Sequence, residues 1–180
     1  MIGAGLSSQG KKSYRMKPEF VLRRRIGWLT WLFIAGLFAS GATAMALPTE
    51  VNWLVNFTGA PGSTAAWAEW LLRVREALVQ TQAHGPFLFY GTDWLAFGHF
   101  MIALVFVGAL RDPVRNRWLY DFGLMACVLV VPFALLAGEL RGIPLWWRLI
   151  DCSFGVFGFV PLWFCRKWVK ELETNFTRGQ

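Results

Sequence analysis

Long stretches of uncharged hydrophobic residues alternate with polar connections along most of this chain. A helix rising about 1.5 Å per residue needs roughly 17–25 apolar residues to cross the hydrocarbon core of a bilayer. Four stretches meet this requirement, and they lie at about residues 26–47, 92–110, 118–138 and 149–165. The pattern therefore predicts an all-α integral membrane bundle of four transmembrane helices over residues 26–165, flanked by basic tails at 1–25 and 166–180.

The first hydrophobic stretch also has features of a signal peptide. Arg23, Arg24 and Arg25 precede it, and Ala-x-Ala sequences begin at Ala42 and Ala44 near its end. We favour an uncleaved membrane anchor as the interpretation of this segment.

The connection between the first two spans, residues 48–91, carries a second kind of pattern. Over residues 64–82, apolar side chains recur at helical spacing with polar ones on the opposite face, which predicts an amphipathic helix outside the membrane. Ser63 is its predicted N-cap, and Gly85-Pro86 is its stop signal. Two tryptophans on the apolar face favour a helix lying on the outer membrane surface, but covering the bundle or facing a partner would fit equally well.

Composition supports a membrane protein and excludes other classes. Of the 180 residues, 56% are hydrophobic and 16% are charged, whereas a soluble domain carries about 25% charged residues. Four spans take up nearly half of this length, which leaves no room for a large extramembrane enzyme domain. The net charge of +7 comes mostly from cations just outside the hydrophobic stretches, so it indicates membrane orientation rather than nucleic-acid binding.

The distribution of lysine and arginine predicts how the spans are oriented. Fourteen cations lie in the two tails and the 111–117 turn, and four lie in the other two connections. By the positive-inside rule, both tails and that turn are cytoplasmic, while residues 48–91 and 139–148 lie outside. The eleven tryptophans fall near span ends or in the outer connection, as in aromatic belts. We therefore expect a multi-pass protein of the bacterial inner (cytoplasmic) membrane.

Small residues within the spans mark faces on which helices are expected to pack, because association in lipid depends on close backbone approach. In the first span this face is predicted at Gly36, Ser40 and Ala44. In the fourth span one stripe contains Asp151, Phe154, Gly155 and Gly158.

Prolines and cysteines add little chemistry to the spans. Pro132 and Pro161 each remove a helical hydrogen bond and are expected to kink their helices. Cys127, Cys152 and Cys165 lie in apolar runs without metal-ligand spacing. They are therefore interpreted as small buried hydrophobic residues, and neither a disulfide framework nor a metal site is expected.

Five ionisable residues form a candidate polar cluster at the predicted outer ends of spans two, three and four: Asp93, Glu139, Arg141, Arg148 and Asp151. Arg148 and Asp151 are three residues apart, which is the spacing of an ion pair within a helix. Asp151 shares the small-residue stripe, so we expect it to face the bundle and to pair with Arg148 or Arg141. A ring of ion pairs that fixes the helix ends is favoured over a ligand site.

Two other ionisable residues lie inside the spans. Asp121 follows Arg117 by four residues and is expected to pair with it. His99 offers a proton relay or a single axial ligand for a tetrapyrrole, while the sequence requires no cofactor. A structural hydrogen bond to a neighbouring helix is favoured, because bis-histidine haem ligation needs a second histidine within a span.

Several segments resemble a family of small bacterial multi-span membrane proteins. The resemblance rests on Gly91-Thr-Asp-Trp-Leu-Ala-Phe-Gly-His99, Arg111-Asp-Pro-Val-Arg-Asn, Arg141-Gly-Ile-Pro and Trp147-Arg-Leu-Ile-Asp-Cys-Ser-Phe-Gly155. It covers about residues 90–170. No activity is attached to this family, so the resemblance implies a membrane protein and no site residues.

Three hypotheses for function follow from the sequence. The first is a noncatalytic accessory subunit or assembly factor of a larger membrane complex, with the bilayer and other membrane subunits as partners. The second is a small transporter or channel component that uses the outer cluster and His99 as a proton or ion path. The third is a membrane-embedded enzyme acting on a lipid or quinone, with Asp93, His99 and Asp151 as acid-base groups.

Overall fold

The structure, a computed structural model, describes residues 7–177 and, within them, the side chains of residues 19–175. Six helices follow one another: α1 (Ser7–Met45), α2 (Leu47–Phe57), α3 (Ala66–His84), α4 (Tyr90–Arg111), α5 (Arg117–Leu140) and α6 (Leu145–Thr177). Short 3₁₀ turns lie at Ala60–Gly62 and Pro86–Phe89, and no strand occurs between residues 7 and 177. The prediction of an all-α protein is confirmed.

Between residues 19 and 175, four segments are long and apolar enough to cross a membrane: Glu19–Met45, Pro86–Arg111, Arg117–Leu140 and Leu145–Asn175. They coincide with the four predicted spans, so the prediction of a multi-pass membrane protein is confirmed. Helices α1 and α6 continue well into the predicted tails, because the edge of the hydrocarbon does not by itself end a helix. Within the most apolar part of each span only 17–22% of residues are buried in the chain, which leaves most of the apolar surface to lipid or to another protein.

The described residues form two compact units, of which the first combines residues 7–34 with residues 104–177. Its largest fully buried side chains come from α1, α4, α5 and α6: Ile26, Phe106, Leu119, Tyr120, Leu162 and Leu172. On α6 the buried positions recur every three or four residues, at Leu162, Cys165, Val169 and Leu172. This spacing places them on one helical face, which forms the core of the unit.

Helices α5 and α6 form a hairpin closed by a tight turn. Gly142 adopts a φ of +67°, a left-handed conformation that glycine reaches without a Cβ clash. The N–H of Ile143 then donates to the carbonyl of Gly138 at 2.9 Å, and the N–H of Gly142 donates to that of Glu139 at 3.0 Å. This Schellman motif ends α5 and turns the chain back into α6.

Glycines allow α5 and α6 to approach closely. A Cβ at Gly155 would lie 2.6 Å from the Cys127 carbonyl oxygen and 2.6 Å from Cγ1 of Val130, and one at Gly158 would lie 2.9 Å from the Cys127 Sγ. The packing stripe predicted for the fourth span is therefore confirmed at these two glycines. It is wrong at Phe154, whose side chain is 63% exposed.

Two prolines lie within the helices of this unit, and an asparagine joins two of its helices. Pro132 and Pro161 lie inside α5 and α6, and both helices continue through them. The Asn116 side chain links α4 to α5 by donating to the carbonyl oxygens of Gly108 and Asp112, each at 3.0 Å. Each of these carbonyl oxygens also accepts a backbone N–H, from Asp112 and from Asn116 respectively, so the side chain adds a second bond to both.

The second unit, residues 35–103, contains a helical hairpin, and the sequence predicts only one of its two helices. Helix α3 occurs as expected, but it packs against α2, which the hydrophobic pattern does not indicate. The buried residues of this hairpin are Val51 and Val55 on α2, Ala60 in the turn, and Ala68 and Leu71 on α3. The apolar face of the amphipathic helix is thus partly covered by its own chain.

The sequence predicts an N-cap and a stop signal for α3, and the two ends of the helix can be compared with them. Gly85 follows the last helical residue, so the stop signal is confirmed. The prediction of Ser63 as N-cap is wrong, because Ala65 is the N-cap residue. Ser63 instead accepts a hydrogen bond at its Oγ from the N–H of Ala65 at 3.2 Å, which shapes the turn before the helix.

In the first span, the close contact between helices lies at a different position from the predicted packing face. Gly36 has no other atom within 4 Å of the place its Cβ would take, whereas a Cβ at Gly41 would lie 2.6 Å from Cε1 of Phe100 and 3.0 Å from the Ala96 carbonyl. Gly41 is buried and Gly36 is exposed. The close approach within this unit therefore centres on Gly41, between the predicted Ser40 and Ala44.

Candidate functional site

Within the predicted outer polar cluster, Arg148 in the first turn of α6 forms one hydrogen bond and one ion pair. Its side chain is 13% exposed and lies against Gly138, where any Cβ would collide with it. Its Nη1 donates to the carbonyl oxygen of Leu135 at 3.1 Å and forms an ion pair with Glu139. The Schellman turn places α5 and α6 so that this cation folds back onto the end of α5.

The other members of the cluster are arranged differently from the prediction. Arg148 pairs with Glu139 rather than with Asp151, and Asp151 forms no ion pair with any described residue. The expected pairing of Asp151 with Arg148 or Arg141 is therefore wrong, because the hairpin brings a partner from α5 to Arg148. Asp151 is half-buried, while Arg141 is exposed just after the end of α5.

Asp93 and His99 belong to the second unit. Asp93 lies exposed in the first turn of α4, where a carboxylate interacts favourably with the helix dipole. The Nδ1 of His99 lies 2.8 Å from the carbonyl oxygen of Leu95. The favoured hydrogen bond to a neighbouring helix is thus wrong, since this bond stays within α4.

The hydrogen bond of His99 determines which of its ring nitrogens remains available. A carbonyl oxygen only accepts, so Nδ1 carries the proton and the neutral ring keeps its lone pair on Nε2. No described residue bonds to that Nε2. Near the middle of α4, it offers a nitrogen able to take up a proton or to ligate a metal.

A buried polar group that sequence reasoning missed connects three helices of the first unit. The Thr30 Oγ1 of α1 lies 2.9 Å from the Tyr120 hydroxyl of α5 and 3.8 Å from the Cys165 Sγ of α6. The Cys165 thiol also donates to the Ile26 carbonyl at 3.7 Å. All three polar side chains are fully buried, so this group ties the helices together within the core.

A sequence signal for this group existed. Thr30 follows Leu22 and Ile26 at four-residue intervals, so it occupies the same helical face as two core residues. A polar side chain on a buried face needs a partner. Treating Cys165 as a small buried hydrophobic residue correctly predicted its burial and overlooked its polar contacts.

The opposite ends of α5 and α6 carry two further ion pairs. Arg117 Nη1 lies 2.9 Å from Glu173 Oε1, and Arg166 Nε lies 2.6 Å from Asp121 Oδ1. The predicted pairing of Arg117 with Asp121 is wrong. Each residue instead pairs across the hairpin, because α6 extends alongside the start of α5.

Comparison with known proteins gives no guide to the chemistry, since no protein family model, curated protein or solved structure matches the chain. Between residues 19 and 175, no three histidine, cysteine, aspartate or glutamate side chains come together in a way that could hold a metal ion.

The burial of Arg148 leads to a prediction about stability. Arg148→Ala is expected to lower the free energy of unfolding by about 2 kcal/mol, because it removes packing on Gly138 and the side-chain hydrogen bond to the Leu135 carbonyl. Glu139→Gln should change it by less than about 0.5 kcal/mol, because Glu139 is 71% exposed. Thermal unfolding of the purified chain in detergent measures both changes. Arg141→Ala is the matched control, and an equal loss for the two arginines would contradict the role given to Arg148.

Proposed function

We propose that this protein is a noncatalytic, multi-pass accessory subunit or assembly factor of a larger complex in the bacterial inner membrane. In this proposal both termini face the cytoplasm, as the distribution of cations favours. The α2–α3 hairpin then lies on the outer side, where it serves as a docking module for another membrane protein subunit.

The observation that carries the proposal is a stacked aromatic pair on α2, which we call the aromatic edge. The rings of Trp53 and Phe57 are parallel to within 11° with centroids 5.0 Å apart, yet the side chains are 62% and 74% exposed. Exposed polar residues flank them at Glu50, Asn52 and Asn56. Large preorganised aromatic side chains within a polar rim are typical of binding hot spots in protein interfaces.

The hairpin is suited to present this edge because its own interior is already filled. Val51 and Val55 on α2 are buried against α3, so the helix is held without using Trp53 or Phe57. A partner that covered the two rings would therefore bury apolar surface without the entropic cost of ordering the hairpin.

Affinity purification of the full chain in mild detergent tests the proposal. Replacing Trp53 and Phe57 together with alanine should weaken binding of a stoichiometric membrane partner by about 30-fold or more, the loss of roughly 2 kcal/mol expected for a hot spot. Phe87→Ala is the matched control, since Phe87 is also 74% exposed and lies in the same unit. Unchanged recovery of the partner with the double variant, or an equal loss with the control, would refute docking at the aromatic edge.

A second candidate function, a proton or ion path, is favoured by one observation on His99. Its Nε2 keeps a lone pair near the middle of a span, where an ionisable group commonly has a functional role. The same atom fits a single axial ligand to a tetrapyrrole. Proton flux in vesicles, or visible absorbance of the purified protein, that disappears in His99→Leu would favour this candidate over the first.

A further inference from the structure

A groove with a basic lining, here called the basic groove, lies between the start of α5 and the second half of α6. Its volume is about 560 Å³, within the range of small-molecule binding sites. Its charged lining consists of Arg117 and Asp121 on α5 and Arg166, Lys167, Lys170 and Glu173 on α6. Four cations and two carboxylates leave it with an excess of positive charge.

The two carboxylates of the basic groove are already engaged. Asp121 pairs with Arg166, and Glu173 pairs with Arg117. Lys167 and Lys170 form no ion pair with a described residue, and the Lys167 Nζ lies 5.6 Å from the centre of the Trp163 ring. The two lysines are thus the cations of the groove that are available to an anionic ligand.

The position of the basic groove along the helices corresponds to a membrane surface. Arg117 begins one apolar span, and Arg166 follows the last uncharged stretch of α6. Trp163 also lines the groove, and indole side chains favour the headgroup layer. A ligand bound here would lie at the depth of lipid phosphates.

A second groove, apolar, continues along the same helix pair toward the middle of the membrane. It has a volume of about 430 Å³, and its lining includes Val128 and Pro132 on α5 and Val156 and Phe159 on α6. At 3.6 residues per turn, Arg117, Asp121, Val128 and Pro132 fall within an arc of about 60° on α5. The two grooves therefore open on one face of the α5–α6 hairpin.

The combined length of the two grooves matches the length of one acyl chain of a membrane lipid. Asp121 and Pro132 are separated by about 16 Å along the helix axis, which is close to the roughly 15 Å depth of one leaflet of hydrocarbon. A soluble phosphate compound would use only the basic groove, whereas a phospholipid would fill both.

We propose that the face of α5 and α6 formed by these two grooves is a binding site for an anionic phospholipid. The phosphate headgroup lies between Lys167 and Lys170 in the basic groove, and an acyl chain lies along Val128 and Val156. Basic pockets between transmembrane helices commonly bind anionic headgroups. The site selects lipids by headgroup charge and is separate from the aromatic edge.

Native mass spectrometry of the purified full chain tests this proposal, with phosphatidylglycerol and phosphatidylcholine added in turn. The wild-type chain should retain phosphatidylglycerol preferentially. Replacing both Lys167 and Lys170 with glutamine should weaken that binding by about 25-fold, because each cation near an anionic headgroup contributes roughly a fivefold factor. Neither lysine forms an ion pair with a described residue, so the fold should persist.

Two further variants complete the test. Replacing Arg111 and Arg115 with glutamine removes two charges near the same ends of the helices but outside the groove, and should leave lipid binding unchanged. Val156→Trp fills the apolar groove and should weaken retention of phosphatidylglycerol without changing the binding of soluble glycerol phosphate. Equal retention of the two lipids, or equal losses for the lysine and arginine pairs, would overturn the proposal. Full retention by Val156→Trp would overturn the acyl-chain part and leave a site for phosphate groups alone.

Discussion

Gly155→Leu is expected to cause one of the largest losses of stability available in this chain. Even a single Cβ at this position would meet the Cys127 carbonyl oxygen and the Val130 side chain at 2.6 Å. The carbonyl belongs to the backbone of α5, so it cannot rotate away as the end of a flexible side chain would. Helices α5 and α6 would have to separate, which removes the contacts on which their association in lipid depends.

The comparison of Gly155→Ala with Gly36→Ala makes this expectation quantitative. The alanine at position 155 should lower the free energy of unfolding by about 1–3 kcal/mol through overpacking, and leucine should lower it further. The same change at Gly36, where the space is open, should be neutral or stabilise α1 by up to about 1 kcal/mol. Unfolding of the detergent-solubilised chain, followed by circular dichroism, measures all three. Equal losses at the two glycines would contradict the close packing described at Gly155.

Tyr120→Ala is expected to be comparably damaging, because Tyr120 is the largest fully buried side chain among residues 19–175. Its removal leaves a cavity between α5 and the side chains of Thr30 on α1 and Phe106 on α4, and a cost of about 3–5 kcal/mol is typical of such truncations. Tyr120→Phe keeps the ring and removes only the hydroxyl that lies 2.9 Å from the Thr30 Oγ1. That smaller change should cost about 1–2 kcal/mol, since Thr30 loses a buried partner.

A double-mutant cycle isolates the bond between these two residues. Thr30→Val and Tyr120→Phe each leave one buried hydroxyl without its main partner, whereas the double variant leaves neither. The double variant should therefore lose about 1 kcal/mol less than the sum of the single variants. Thr43→Val is the control, because the Thr43 hydroxyl is exposed and donates to the Ser40 carbonyl in its own helix. Strict additivity would show that the Thr30–Tyr120 bond does not contribute to stability.

The sequence predicts the spans well because hydropathy reports directly on contact with lipid. It misses α2 because this helix has only 11 residues, too few for the periodicity of a buried face to stand out beside the predicted loop. It misplaces the first packing face because exposed Gly36 and buried Gly41 differ in their three-dimensional neighbours, which spacing along one helix does not reveal.

The ionic contacts illustrate a second limit of sequence reasoning. Spacing within a helix predicts that Arg148 forms an ion pair with Asp151 and that Arg117 forms one with Asp121. In the structure, the hairpin supplies Glu139 to Arg148 and Glu173 to Arg117. Glu173 is 56 residues from its partner, so only the packing of α5 on α6 determines the pairing. The same limit hid the Thr30, Tyr120 and Cys165 group, whose members come from three helices.

The tight turn at Gly142 bears on the order in which the first unit assembles. Contacts between α5 and α6 join segments that are adjacent in the chain, so little loop entropy opposes their pairing. The contact of Thr30 with Tyr120 spans 90 residues, and it forms only after the segments between them have been made and have crossed the membrane. We expect the α5–α6 pair to act as the nucleus of this unit, with α1 returning to it as the closing step of folding.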